Sequence, residues 1–194
     1  MMRNVFLLIE DFVWAQRCRY NLWLHGPYGL AKVVERIPFR FLVKYLRRYG
    51  ATVGENCRLE RGLKIHRPLG KRPFENLIIG NDVYLGHNIL IDLTRRVTIH
   101  DKALLGAGCY LWTHTGYYKS NFFEKPDYIE EDGEVTIREG TIIYSGAVIS
   151  CGITVGSFSQ IGANSLVNKD VAPGTFVGGV PAREKKVLYQ ASGK

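Results

Sequence analysis

The chain has 194 residues, 46% of them hydrophobic, and carries a net charge of +8. This suits one domain, or one domain with an appendage, long enough to bury a core. Cys18, Cys57, Cys109 and Cys151 form no CxxC pair and no zinc-ligand spacing, which points to free thiols in a reducing compartment. No apolar run approaches the roughly 18 residues of a spanning helix, and VFLLI, followed by Glu10 and Asp11, lacks the length and cleavage site of a signal peptide.

In chain order, residues 1–50 form a basic, aromatic arm. They hold nine Lys/Arg against three Asp/Glu, so most of the net charge sits there and the remainder is only +2. A nucleic-acid role is disfavoured, because the basic residues are confined to the arm. Within it, FRFLVKYLRRYG at 39–50 reads as a short amphipathic helix. Phe39, Leu42, Val43 and Leu46 fall at helical spacing, and Arg40, Lys44, Arg47 and Arg48 occupy the other face. Pro38 suits its start and Gly50 its stop. Such a helix can cap the open end of a repeat fold or lie on an anionic membrane surface.

From residue 53 the pattern changes to aliphatic residues at intervals of six. They fall in triplets: Val53, Leu59, Ile65; Ile79, Leu85, Ile91; Ile99, Leu105, Leu111; Ile137, Ile143, Ile149; Val155, Ile161, Val167. This period marks a hexapeptide-repeat β-helix. Each six-residue unit supplies a flat strand and a corner, and three units close one triangular coil. Five coils at about 4.8 Å spacing give a prism roughly 24 Å long. Between triplets the chain carries insertions of 8, 2, 20 and 0 residues. All fall after the third unit, hence at one edge of the prism. The longest makes a loop over 112–136, with His114 at its base. Residues 51–187 form the β-helix domain and 188–194 a C-terminal tail.

His114 at a loop base can act as a general base near neutral pH, or be a packing histidine. His66 and His100 each follow an inward aliphatic residue at a corner, His87 follows Gly86, and His25 reads as a turn residue. The His-x4-His pair of a γ-carbonic-anhydrase-like zinc site is missing, so no metal is expected.

IGNDVYLGHNILID, VTIHDKALLGAGCYLWTH and SLVNKDVAPGTFVGGVPAR resemble the hexapeptide-repeat O-acyltransferases, among them the galactoside and maltose acetyltransferases and those of polysaccharide biosynthesis. The resemblance covers residues 53 to about 187. It implies an all-β, left-handed parallel β-helix, acetyl-CoA as donor, a sugar or glycan hydroxyl as acceptor, and a homotrimer with sites between subunits. The expected location is the cytoplasm, and the basic aromatic arm over residues 1–50 points to peripheral contact with the inner face of the membrane. His114 matches the catalytic base, and Ser145 the position whose N–H faces the oxyanion. Ala163 lies beside the pantetheine arm, while Lys169 and Arg183 match bases near the CoA phosphates. His87, Asn88 and Asp92 match acceptor-side positions, and Asp92 also stands with His114 in the expected catalytic set. Departures from the family pattern are Tyr144 for a glycine lining the CoA groove, Cys151 for a proline, Asn168 for a threonine, and a single histidine where His-x-His is common. An amine or xenobiotic acceptor and a non-catalytic scaffold are the rival readings.

Overall fold

A strand that turns a corner every six residues must bury one side chain per strand and keep its corners small. The computed structural model, which describes residues 2–115 and 131–188, is built in this way. The first face of the prism stacks Thr52–Val53, Leu77–Ile79, Val97–Ile99, Val135–Ile137 and Thr154–Val155 as parallel strands. The second stacks Arg58–Leu59, Tyr84–Leu85, Leu104–Leu105, Ile142–Ile143, Gln160–Ile161 and Thr175–Gly178, and Arg183–Val187 closes it antiparallel. The third stacks Lys64–His66, Leu90–Asp92, Tyr110–Leu111, Val148–Ile149 and Leu166–Val167. With the relatives described below, this is the left-handed parallel β-helix expected.

The register matches the triplets residue for residue. Val53 lies on Ile79, Ile79 on Ile99, Ile99 on Ile137 and Ile137 on Val155. The other two faces repeat this with Leu59, Leu85, Leu105, Ile143, Ile161 and with Ile65, Ile91, Leu111, Ile149, Val167. All fifteen are buried, each stabilising the fold by about 1.5–3 kcal/mol relative to exposure. A partial sixth coil follows, which the period of six did not reveal. Val171 bridges to Val155 and Val177 lies on Ile161, after a step of four residues instead of six.

Outward-facing residues differ between faces. The first presents Thr98, Thr136 and Thr154 in register. The second presents Tyr84, Leu104 and Ile142, and the third Leu90, Tyr110, Val148 and Leu166.

The arm comprises α1, Met2–Val34, and α2, Phe39–Arg48. Gly26 (φ 63°) and Pro27 kink α1, since the left-handed backbone there suits glycine and proline cannot continue the hydrogen-bond ladder. α2 packs on the first coil at Thr52–Val53 and Arg58–Leu59, and α1 on Lys64–His66, so the arm caps that end of the prism. The buried face of α2 is Leu42, Tyr45 and Leu46, while Phe39 is exposed. Three of its four basic residues are engaged within the chain. Arg40 pairs with Glu10, Lys44 Nζ lies 2.6 Å from Asp11 Oδ2, and Arg47 Nη2 lies 2.8 Å from Glu55 Oε1. Three of the four basic residues expected to face lipid are thus paired within the chain, though their side chains remain 43%, 55% and 42% exposed. No helix among the described residues is long and apolar enough to cross a membrane. Residues 116–130 of the long loop and 189–194 of the tail lie outside the described residues.

Candidate active site

The edge where the third face turns back to the first carries all the insertions. At its centre is Asp92, fully buried at the end of Leu90–Asp92. Insertions let the chain leave the repeat here, so polar groups can turn towards the carboxylate instead of stacking as aliphatics.

Asp92 Oδ2 accepts from Thr113 N (3.0 Å), Thr113 Oγ1 (2.6 Å) and His114 Nδ1 (2.5 Å). Oδ1 accepts from Thr94 Oγ1 (3.0 Å), Thr94 N (3.3 Å) and His66 Nδ1 (3.1 Å). Burial pushes the Asp92 carboxyl up, but the bonds from Thr113, His114 and His66 outweigh it and hold the group down at about 2. It is therefore an anion that can only accept. Both imidazoles must donate from Nδ1, so that each ring, when neutral, carries its lone pair on Nε2.

His114 opens the two-residue strand His114–Thr115, which pairs antiparallel with Glu131–Asp132 at the base of the long loop. Arg95 Nη2 donates to Asp132 Oδ2 at 2.6 Å and pins that base to the insertion before it. A cleft of about 460 Å³ opens in front, lined by His66, Trp112, His114, Thr115, Val148, Ser150 and Leu166. The His114 side chain is only 9% exposed, so its ring is held against the prism and meets solvent through this cleft. A fixed, half-sheltered imidazole with a free Nε2 and a carboxylate behind it can take a proton from a hydroxyl placed in the cleft.

His66 was not among the expected site residues. It occupies in the first coil the register position of Asp92 in the second. Its ring lies parallel to that of His114 (3°, centroids 5.6 Å apart) and edge-on to Trp112 (73°, 5.6 Å). The signal was available: aligning the coils on their inward aliphatics puts His66, Asp92 and Trp112 in one column, each just after Ile65, Ile91 or Leu111. His66, Asp92 and His114 also offer ligand atoms within 4.8 Å of one another, a donor set that a divalent ion could use. Here those atoms are hydrogen-bonded to each other, and no buried side-chain polar atom among the described residues lacks a partner.

The other expected residues lie elsewhere. His87, Ser145 and Ala163 stack along the edge between the second and third faces. Gly108 N bonds to His87 O, Gly146 N to Ala107 O and Asn164 N to Ser145 O. Asn88, with φ 59°, is the next residue of that corner, and His87 Nε2 faces Glu60 Oε2 at 3.8 Å. Within one chain, the width of the third face separates these residues from His114. Tyr144 stands in a column of corner residues otherwise made of Glu60, Gly86, Gly106, Gly162 and Gly178. Its ring is half-exposed, with the hydroxyl 3.4 Å from Gln160 Oε1. Lys169 and Arg183 line one cleft of about 260 Å³ near the C-terminal end, together with Asp170 and Glu184. The four cysteines are free, and burial raises the thiols of Cys18 and Cys109 to about 12 and about 11, so neither is a nucleophile at neutral pH.

No family model matches the chain. It is 34% identical over 138 residues to the galactoside O-acetyltransferase of Escherichia coli (strain K12), covering 69% of this chain and 62% of that one. To the serine acetyltransferase of Bacillus subtilis (strain 168) it is 27% identical over 171 residues, covering 88% and 61%. The chain thus spans about six tenths of the length of these relatives. Among solved structures, a galactoside acetyltransferase in complex with coenzyme A superposes with a TM-score of 0.70 at 26% identity, covering 86% of this chain and 82% of that one. A hexapeptide-repeat acetyltransferase from Vibrio cholerae O1 biovar eltor, complexed with acetyl coenzyme A, gives 0.71 at 21% identity, covering 86% and 90%.

Proposed function

As a homologue of the galactoside and serine acetyltransferases, the chain is, we propose, an acetyl-CoA-dependent O-acetyltransferase acting on a hydroxyl of a sugar or glycan precursor. The observation that carries this reading is the Asp92–His114 pair, whose geometry frees Nε2 towards a cleft. His114 Nε2 accepts the hydroxyl proton as the oxygen bonds to the thioester carbonyl carbon. The C–S bond then breaks, and the CoA thiolate takes the proton back from His114. Asp92 holds the ring and stabilises the imidazolium. Ser145 N–H serves the oxyanion, Ala163 leaves room for the pantetheine arm, and Lys169 and Arg183 meet the CoA phosphates. His87 and Asn88 are assigned to the acceptor side.

Because Ser145 and His114 lie on opposite edges of the third face, the complete site requires the His114 edge of one subunit against the Ser145 edge of the next. The apolar columns on the second and third faces favour such packing, and sedimentation at a three-chain mass is the expected result. The protein is placed in the cytoplasm, in polysaccharide biosynthesis, with peripheral membrane contact. We assign that contact to α1 and not to α2. There Phe12 and Trp23, eleven residues apart and so on one helical face, are 62% and 79% exposed beside the exposed Arg19, while Glu10 and Asp11 lie off that face and are paired. Phe12→Ser with Trp23→Ser should weaken co-sedimentation with phosphatidylglycerol vesicles. Unchanged binding removes the membrane assignment.

The test of function is thiol release from acetyl-CoA with a panel of pyranosides, alongside calorimetry of acetyl-CoA binding to wild type and to Lys169→Ala with Arg183→Ala. Turnover, with binding weakened in the double variant, supports the reading. No binding at millimolar acetyl-CoA leaves the scaffold role.

A further inference from the structure

One carboxylate holds two imidazoles at the mouth of one cleft, and general-base chemistry needs only one. We propose that His66 is a second acceptor-binding residue and that the acceptor is a vicinal diol, gripped by His114 at the reacting hydroxyl and by His66 at its neighbour. This rests on the acetyl-transfer reading and deepens it.

The argument begins with Asp92. Because its carboxylate is held ionised, it accepts from Nδ1 of both rings, His114 at 2.5 Å and His66 at 3.1 Å. Each Nε2 is then a hydrogen-bond acceptor on the ring edge away from Asp92. The rings are parallel to within 3° and their centroids are 5.6 Å apart. Two acceptors held side by side suit a ligand with two donors side by side. A donor–acceptor hydrogen bond of about 2.8 Å to each ring takes two ligand oxygens held side by side in the two parallel ring planes, a need that a polyol with neighbouring hydroxyls meets. A lone alcohol would satisfy one nitrogen and leave the other facing a half-closed cleft without its water.

The surroundings fit the carbon side of such a ligand. Trp112 meets His66 edge-on, and Tyr110 lies nearly parallel to Trp112 (13°, centroids 6.4 Å apart). Val148 and Leu166 also line the cleft. Aromatic and aliphatic walls around two aligned polar atoms suit a pyranose, which offers a C–H face and a row of hydroxyls. The two histidines also differ in access. The His66 side chain is 40% exposed and that of His114 9%. His114 is therefore the sheltered base, and His66 stands at the rim, where an incoming ligand meets it first.

A purely structural His66 would do no more than support Asp92. The two roles separate in kinetics. The probes are methyl pyranosides and their matched monodeoxy analogues, each lacking the hydroxyl next to the acetylated one, with wild type and His66→Ala. The expected result is that wild type prefers the diol over its deoxy analogue about tenfold in kcat/KM, through KM. In His66→Ala that preference should collapse, so that the diol and the deoxy compound are turned over with equal kcat/KM. An equal fall in kcat on both compounds, with a displaced acidic limb of the pH profile, makes His66 a support for Asp92 and overturns the proposal. So does no change on either. If wild type acetylates no pyranoside, the transfer reading fails by itself, and imidazole NMR during titration with the same pyranosides still decides. Shifts of both rings by the diol and of one by the deoxy analogue retain the diol site, whereas any other pattern removes it.

Discussion

Two edges of the prism flank the third face, and they are built on opposite rules. The edge carrying His87, Ser145 and Ala163 has no insertions and is lined by glycine at four of six levels. At Gly106, for example, an added Cβ would lie 2.6 Å from Ser145 N. The edge carrying His66, Asp92 and His114 holds all the insertions and replaces stacked small residues with a buried anion and its donors. The first is fixed by sterics and needs only small residues. The second is fixed by charge-assisted hydrogen bonds, which require particular partners. The strict edge thus provides a smooth surface, and the irregular edge a buried carboxylate carrying two imidazoles.

The largest break in this contrast comes from the irregular edge. His114→Ala should lower kcat/KM by about 10²–10⁴-fold, with circular dichroism close to wild type because the ring lies outside the aliphatic stack, and a thermal midpoint only modestly lowered by the loss of one donor to Asp92. A loss of fold instead would mean that the edge is structural first.

Asp92→Asn should act on both activity and stability. The carboxyl lies at about 2 in the folded chain against an ordinary 3.8. Its folded value is depressed, so its contribution is fully present above about pH 4 and disappears as pH falls through about 2. It corresponds to about 2 kcal/mol. Urea denaturation should therefore show Asp92→Asn less stable at pH 7, with the gap closing towards pH 2. A gap independent of pH would assign the loss to the amide's geometry and not to the charge.

Gly106→Ala tests the strict edge. The new Cβ meets backbone that can move only if the next coil moves, which should cost about 1–3 kcal/mol in urea denaturation while Asp92 and His114 keep their arrangement.

The two edges also differ in how far the sequence discloses them. A period of six is a local rule, so the strict edge, the fifteen inward aliphatics and the position of every insertion could be read from the spacing. The irregular edge is a meeting of residues 26 and 22 apart, His66 with Asp92 and Asp92 with His114, across insertions of unequal length. His114 came from a family motif and Asp92 only from its place in ILID. His66 was passed over as a corner residue because nothing local marks it. The arm shows the same limit. The helical spacing of Leu42 and Leu46 indicated α2, but the pairing of Arg40 with Glu10 and Lys44 with Asp11 spans about thirty residues, and no periodicity encodes it.

The smallest expected effect sharpens the contrast at its one exception. Tyr144 places a ring in the glycine column of the strict edge, where Gly106 and Gly162 above and below leave the backbone bare. The ring is 44% exposed and its hydroxyl reaches only Gln160, so removing it should change stability by less than about 1 kcal/mol. If the pantetheine arm runs along the bare glycines, the ring occupies part of its path. Tyr144→Gly should then tighten acetyl-CoA binding a few-fold in calorimetry. Weaker binding would instead make Tyr144 a wall of the groove, against which the thioester or pantetheine packs. The strict edge would then present, at one position of a glycine column, a side chain that takes part in binding.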